Sequence, residues 1–70
     1  MTRQEQSAQL KELGVRLRDA RKKVRLTQAE VGALAGISVN YYARIERGDA
    51  RPSFELVQAI GKVLKIKVLG

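Results

Sequence analysis

Residues 26–48, LTQAEVGALAGISVNYYARIERG, carry the clearest structural pattern in the chain. Its pattern predicts two short helices joined by a tight turn. Thr27 can cap the first helix with its hydroxyl, and Glu30, three residues later, completes a capping box. Gly36 then ends that helix, because glycine reaches the left-handed region without a side-chain penalty.

The second helix of this stretch is predicted from Ser38, its N-cap, to about Arg47, and it ends at Gly48. Gly32 lies in the middle of the first helix, where glycine costs about 1 kcal/mol relative to alanine. A close crossing of the second helix over the first at that point would explain the glycine.

A spaced set of residues links this stretch to a known family: Gln28, Gly32, Gly36, Tyr42 and Ile45, then Glu46-Arg47-Gly48 and Pro52-Ser53. The pattern resembles the phage-repressor-like (Cro, or Xre-type) helix-turn-helix family from about residue 13 to residue 66. In that family the second helix of the pair lies in the major groove of DNA. The resemblance implies an all-α, compact bundle of four to five helices.

The composition restricts the chemistry. The 70 residues include no cysteine and no histidine. Zinc sites, thiol catalysis and imidazole acid–base catalysis therefore lack their residues. A chain of this length makes one small domain. We expect neither an enzyme nor a cofactor.

The charge balance favours an anionic partner. Fourteen lysines and arginines face seven acidic residues, for a net charge of +7. Nucleic acid and an anionic membrane surface both fit this excess, and so does a basic domain without either partner. No apolar run approaches the roughly 18 residues that span a bilayer, and the polar start lacks a signal peptide's apolar core. We expect a cytoplasmic protein that binds DNA, not a membrane.

The chain divides into a flexible N-terminus (1–6), the helix-turn-helix domain (7–64) and a tail (65–70). Ser7 is the predicted N-cap of a first helix that runs to about Val24. Its apolar positions recur at helical spacing: Leu10, Leu13, Leu17, Ala20 and Val24. Its other faces are basic, and a solvated surface accounts for most of these charges: Lys11, Arg16, Arg18, Lys22, Lys23 and Arg25.

A fourth helix is predicted from Phe54, after the N-cap Ser53, to about Leu64. Its core face is Phe54, Leu56 or Val57, Ile60 and Leu64. The tail alternates apolar residues with lysines, which is a strand pattern. A single strand needs a partner, most simply the same strand of a second copy, as in the antitoxin branch that the chain resembles. The alternatives are a packed or disordered extended end, or the start of a fifth helix.

The DNA contacts are predicted to be of two kinds, base and phosphate. Val39, Asn40 and Arg44 match base-contacting positions of the family. Asparagine can pair with an adenine edge, arginine with guanine, and valine with a thymine methyl group. The phosphate candidates are Gln28, Ser38, Tyr41, Arg47 and Arg51. All but Ser38 have a plain alternative: a solvated glutamine, ordinary exposed arginines, and a tyrosine that stacks on its own fold.

Two further expectations concern the residues that hold the recognition helix, the predicted helix from Ser38 to about Arg47, against the rest of the domain. The resemblance implies that Arg21 reaches Glu46 and ties the first helix to the third; the alternative is two independent surface charges. Tyr42 and Ile45 are expected to point inward. Since Tyr42 takes a position that is usually aliphatic in the family, its hydroxyl must reach the surface or find a partner.

The resemblance implies that the protein is a transcriptional regulator, and we expect it to act as a repressor or autoregulator. Relatives bind as dimers, so we expect a homodimer on a short inverted repeat. The competing hypothesis is an antitoxin or adaptor whose main partner is a toxin or another protein, with DNA binding secondary.

Overall fold

The computed structural model describes residues 2–68, which form four helices. These are α1 (Arg3–Lys23), α2 (Gln28–Ala35), α3 (Val39–Arg47) and α4 (Phe54–Leu64). α3 packs on both α1 and α2, and α4 covers α2 and α1 from the other side. The expected all-α bundle is confirmed.

α1 begins earlier than the sequence suggested. Thr2, not Ser7, is the N-cap, and its hydroxyl accepts a hydrogen bond from the backbone N–H of Glu5 at 3.1 Å. The expected flexible segment 1–6 is therefore helical from Arg3, with Met1 outside the described residues. A threonine cap and a glutamate in the first turn stabilise a helix start without an apolar contact.

α1 is also the longest helix, with 21 residues. Neither it nor any other helix within residues 2–68 has the length and apolar character needed to cross a lipid bilayer.

The boundaries of the central stretch are confirmed. Thr27 accepts from the N–H of Glu30 at 3.0 Å, and the Glu30 carboxylate accepts from the N–H of Thr27 at 2.8 Å. Gly36 and Gly48 end α2 and α3 at φ +79° and +81°. Ser38 and Ser53 cap α3 and α4. Local side-chain and turn chemistry sets these ends, which is why they could be predicted.

The core lies between all four helices. Its largest fully buried side chains are Tyr42, Leu17, Ile45, Ile60, Leu64 and Val31. The prediction that Phe54 belongs to this core is wrong, because its side chain is 60% exposed. Phe54 is the first residue of α4 and lines an open groove together with Leu10 and Pro52.

The described tail, residues 65–68, forms no strand. Lys65 adopts a left-handed conformation at φ +60°, which turns the chain back after α4. Arg16 donates to the carbonyl of Lys67 at 3.2 Å, and Val68 is buried. In the described residues the tail thus corresponds to the packed extended end, one of the alternatives. Pairing of this segment with a second copy stays a prediction, and residues 69 and 70 lie outside the described residues.

Candidate nucleic-acid interface

One face of α3 is open to solvent. Asn40 and Arg44 are exposed, and Val39 is 43% exposed. On the opposite face, Tyr42 and Ile45 are 0% and 1% exposed, as predicted. Nine helical residues capped at both ends therefore present a rigid polar surface above a buried apolar one.

The seating of α3 depends on a glycine that the sequence analysis did not single out. A methyl group at Gly14 of α1 would overlap the carbonyl oxygen of Glu46 and lie 2.9 Å from that of Ile45. The two helix backbones therefore touch. A glycine in the middle of a helix is itself the signal, and the argument applied to Gly32 could have been applied to Gly14.

Gly32 is confirmed as a point of close approach, with one correction to its cause. A Cβ atom there would lie 3.0 Å from the carbonyl oxygen of Ile37 and 3.3 Å from that of Ser38. The turn and the cap of α3, not the body of the helix, come close to α2.

The predicted pair between Arg21 and Glu46 is present. Nε of Arg21 donates to Oε2 of Glu46 at 2.7 Å and Nη2 donates to Oε1 at 3.2 Å. A third donor, Nη1, reaches the carbonyl oxygen of Leu26 at 3.0 Å. The side chains are 15% and 4% exposed, so this fork locks α1 to α3 in a largely dry environment.

The pair shifts the pKa values of both groups. Burial alone would raise the pKa of Glu46, but its interactions with Arg21, with the nearby Tyr42 hydroxyl and with Gln28 outweigh burial and hold that pKa below its usual value. The hydrogen bond to Glu46 raises the pKa of Arg21. Both side chains therefore stay charged at neutral pH.

Gln28, the first residue of α2, also belongs to this cluster. Its Nε2 donates to Oε1 of Glu46 at 3.0 Å, a contact that the sequence analysis missed. The bond fixes the orientation of the amide at the N-terminus of α2. An amide nitrogen carries two hydrogens, so one stays available for an anion.

The hydroxyl of Tyr42 lies beneath this cluster. It is buried and does not reach the surface, and no described residue lies at hydrogen-bond distance and angle from it. The Glu46 carboxylate is nevertheless close enough to act on it: burial, followed by the interaction with Glu46, raises the pKa of Tyr42 far above its usual value. The hydroxyl therefore stays neutral, with the charged Glu46 beside it.

The three arginines near the end of α3 hold exposed contacts within the chain. Arg44 donates to the carbonyl oxygen of Asp49 at 3.0 Å, and Arg47 to its carboxylate at 3.1 Å. Arg51 donates to Oε1 of Gln6 at 2.7 Å. Exposed contacts of this kind are worth little in water, so a phosphate or a base edge can replace them.

The remaining candidates lie at the margin of α3. The hydroxyl of Ser38 accepts from the N–H of Tyr41 at 3.1 Å and can still donate its own proton. Tyr41 is half-buried and packs against the core, which corresponds to the alternative of stacking on its own fold. Its phosphate contact stays a prediction.

A capped pair of helices at a tight turn, with the second helix displaying amide and guanidinium groups, defines a helix-turn-helix DNA-binding domain. A family model described as helix-turn-helix matches residues 17–69, well over half of the chain. The chain belongs to this family, in its Cro/Xre-type branch, and is a DNA-binding transcription regulator of that type. No curated protein and no solved structure gives a significant match.

Proposed function

We propose that the protein is a cytoplasmic, sequence-specific repressor or autoregulator that inserts α3 into the major groove. The single observation that carries the proposal is the exposed face of α3, where Asn40 and Arg44 lie one turn apart on a helix anchored by Tyr42 and Ile45. Asparagine and arginine are the side chains that read adenine and guanine by paired hydrogen bonds.

Phosphate contacts would set the register of α3. Gln28 lies at the N-terminus of α2, where free backbone N–H groups favour an anion. Arg47, the last residue of α3, lines the same cleft as Gln28, and Arg51 lies in the loop that follows α3. Phosphates bound at these positions would hold α3 in place along the groove.

We also propose that the protein binds as a homodimer on a short inverted repeat. One recognition helix covers too few base pairs to find a site in a genome, whereas two helices about 34 Å apart reach successive major grooves. Since the described tail packs on its own fold, this proposal depends on the recognition argument and not on strand pairing.

The test is binding to the DNA upstream of the protein's own gene, measured by gel shift and by sedimentation of the complex. We expect two copies per inverted repeat and much weaker binding to scrambled DNA. Equal binding to both duplexes would reject sequence-specific regulation. Repeating the titration with the product of the neighbouring gene distinguishes a regulator from an antitoxin or adaptor. An antitoxin or adaptor would bind that product tightly without DNA.

A further inference from the structure

A basic cleft opens where α1, α2 and α3 meet. Its volume is about 410 Å³, and six residues line it: Arg18, Arg21, Lys22, Gln28, Glu46 and Arg47. Glu46 and Arg21 neutralise each other through their ion pair. Three positive side chains from two helices therefore remain, together with the oriented amide of Gln28.

Arg18 and Lys22 are the informative members of the cleft. They lie four residues apart on α1, so their side chains share one face, and like charges at this spacing repel by about 0.2–0.5 kcal/mol. Both are exposed, and within residues 2–68 neither forms an ion pair with a carboxylate. This repulsive pair lines the same cleft as Gln28 of α2 and Arg47 at the end of α3.

Arg47 completes the cleft from α3. Its ion pair with Asp49 is exposed on both sides, at 60% and 59%, and is readily exchanged for another anion. The N-terminus of α2 adds backbone N–H groups beside Gln28. Donors from three helices thus line the cleft.

From this arrangement we infer a phosphodiester seat in which Arg18 and Lys22 of α1 bind a DNA backbone phosphate beside Gln28. The inference rests on the proposed function and extends it: α1, which the sequence analysis treated as a support with a solvated basic surface, itself contacts DNA. A bound phosphate relieves the repulsion between the two cations and releases condensed counterions.

The experiment compares two double variants that remove the same charge. The first variant, Arg18→Gln with Lys22→Gln, removes two positive charges from the cleft. The second, Lys23→Gln with Lys65→Gln, removes two positive charges from a separate groove between α1 and the end of α4. Arginine, lysine and glutamine have similar helix propensities, so circular dichroism should show the same fold in both. Binding to a random-sequence duplex is measured over a range of salt concentrations.

We expect the slope of log affinity against log salt to fall in magnitude by about 0.9–1.8 for the cleft variant, which corresponds to one or two lost phosphate contacts. The groove variant should keep the slope of the unchanged protein. Equal slopes for the two variants would overturn the phosphate seat and leave the proposed function intact. Failure of the unchanged protein to bind any duplex would instead overturn the proposed function, and the seat with it.

Discussion

Gly14 of α1 lies directly against the carbonyl group of Glu46, so that α1 and α3 meet backbone to backbone. The side chain of the same glutamate accepts hydrogen bonds from Arg21 of α1 and Gln28 of α2. Glu46 therefore joins three helices, through its backbone on one side and its carboxylate on the other. The position of the recognition helix depends on this junction.

The contact at Gly14 predicts that Gly14→Ala destabilises the domain. Helix propensity alone would stabilise α1 by about 1 kcal/mol, but overlap with the Glu46 carbonyl forces the helices apart and should cost about 1–3 kcal/mol. Thermal unfolding followed by circular dichroism measures the net change. Ala8→Gly, at an exposed position of α1, calibrates the propensity effect. A higher melting temperature for Gly14→Ala would show that the helices are not in contact there.

The Arg21–Glu46 pair predicts a pH-dependent loss of stability. Since the folded pKa of Glu46 lies below its usual value of 4.5, the pair stabilises the fold above that pH and loses its effect as the pH falls through the folded pKa. Glu46→Gln should cost about 3 kcal/mol at neutral pH, because it leaves the Arg21 charge largely buried without a counter-ion.

Melting temperatures of this variant and the unchanged protein are compared at about pH 7 and about pH 3. The difference should be largest at the higher pH and shrink at the lower one. A constant difference would mean that the carboxylate charge of Glu46 does not contribute to stability.

The buried hydroxyl of Tyr42 predicts an unusual result for Tyr42→Phe. The hydroxyl has the Glu46 carboxylate nearby but no partner at hydrogen-bond distance and angle, so removing this buried polar group should stabilise the fold by up to about 1 kcal/mol. For a domain of this size that corresponds to about 4–8 °C in melting temperature. Tyr41→Phe is the matched control, since Tyr41 is half-buried, and should be nearly neutral. A clear loss of stability in Tyr42→Phe would reveal a hydrogen bond from the hydroxyl.

The contrast between Gly36 and Phe54 shows which features of the fold could be predicted from the sequence alone. The capping box, the caps Ser38 and Ser53, and Gly36 are local, because each depends on residues within a few positions, and these were predicted correctly. The burial of Phe54 was predicted wrongly and the conformation of the tail was left open, because both environments depend on where distant helices end. The Gln28–Glu46 bond spans 18 positions, and only the packing of α3 on α2 creates it.

The backbone conformation of Arg25 predicts that a glycine at this position stabilises the fold. It follows α1 at φ +60°, where its side chain is strained by about 1–2 kcal/mol. Arg25→Gly removes the strain but adds unfolded-state entropy, for a net stabilisation of about 0.5–1 kcal/mol. Arg25→Ala removes the same charge and keeps the Cβ atom, so it should bring no gain. Urea unfolding of the three proteins checks this, and equal midpoints for the glycine and alanine variants would reject the strain.

The exposed amide of Asn40 gives the sharpest test of base reading. If it pairs with a base edge, Asn40→Ala should weaken binding to the inverted repeat by about 1–3 kcal/mol and change binding to random DNA little. Arg51→Ala is the contrasting variant: a lost phosphate contact weakens binding to both duplexes alike and lowers the salt slope by about one. Fluorescence anisotropy on both duplexes measures the two effects together. An equal loss on both duplexes for Asn40→Ala would remove Asn40 from the reading surface, and the specificity of α3 would then have to come from Val39 and Arg44.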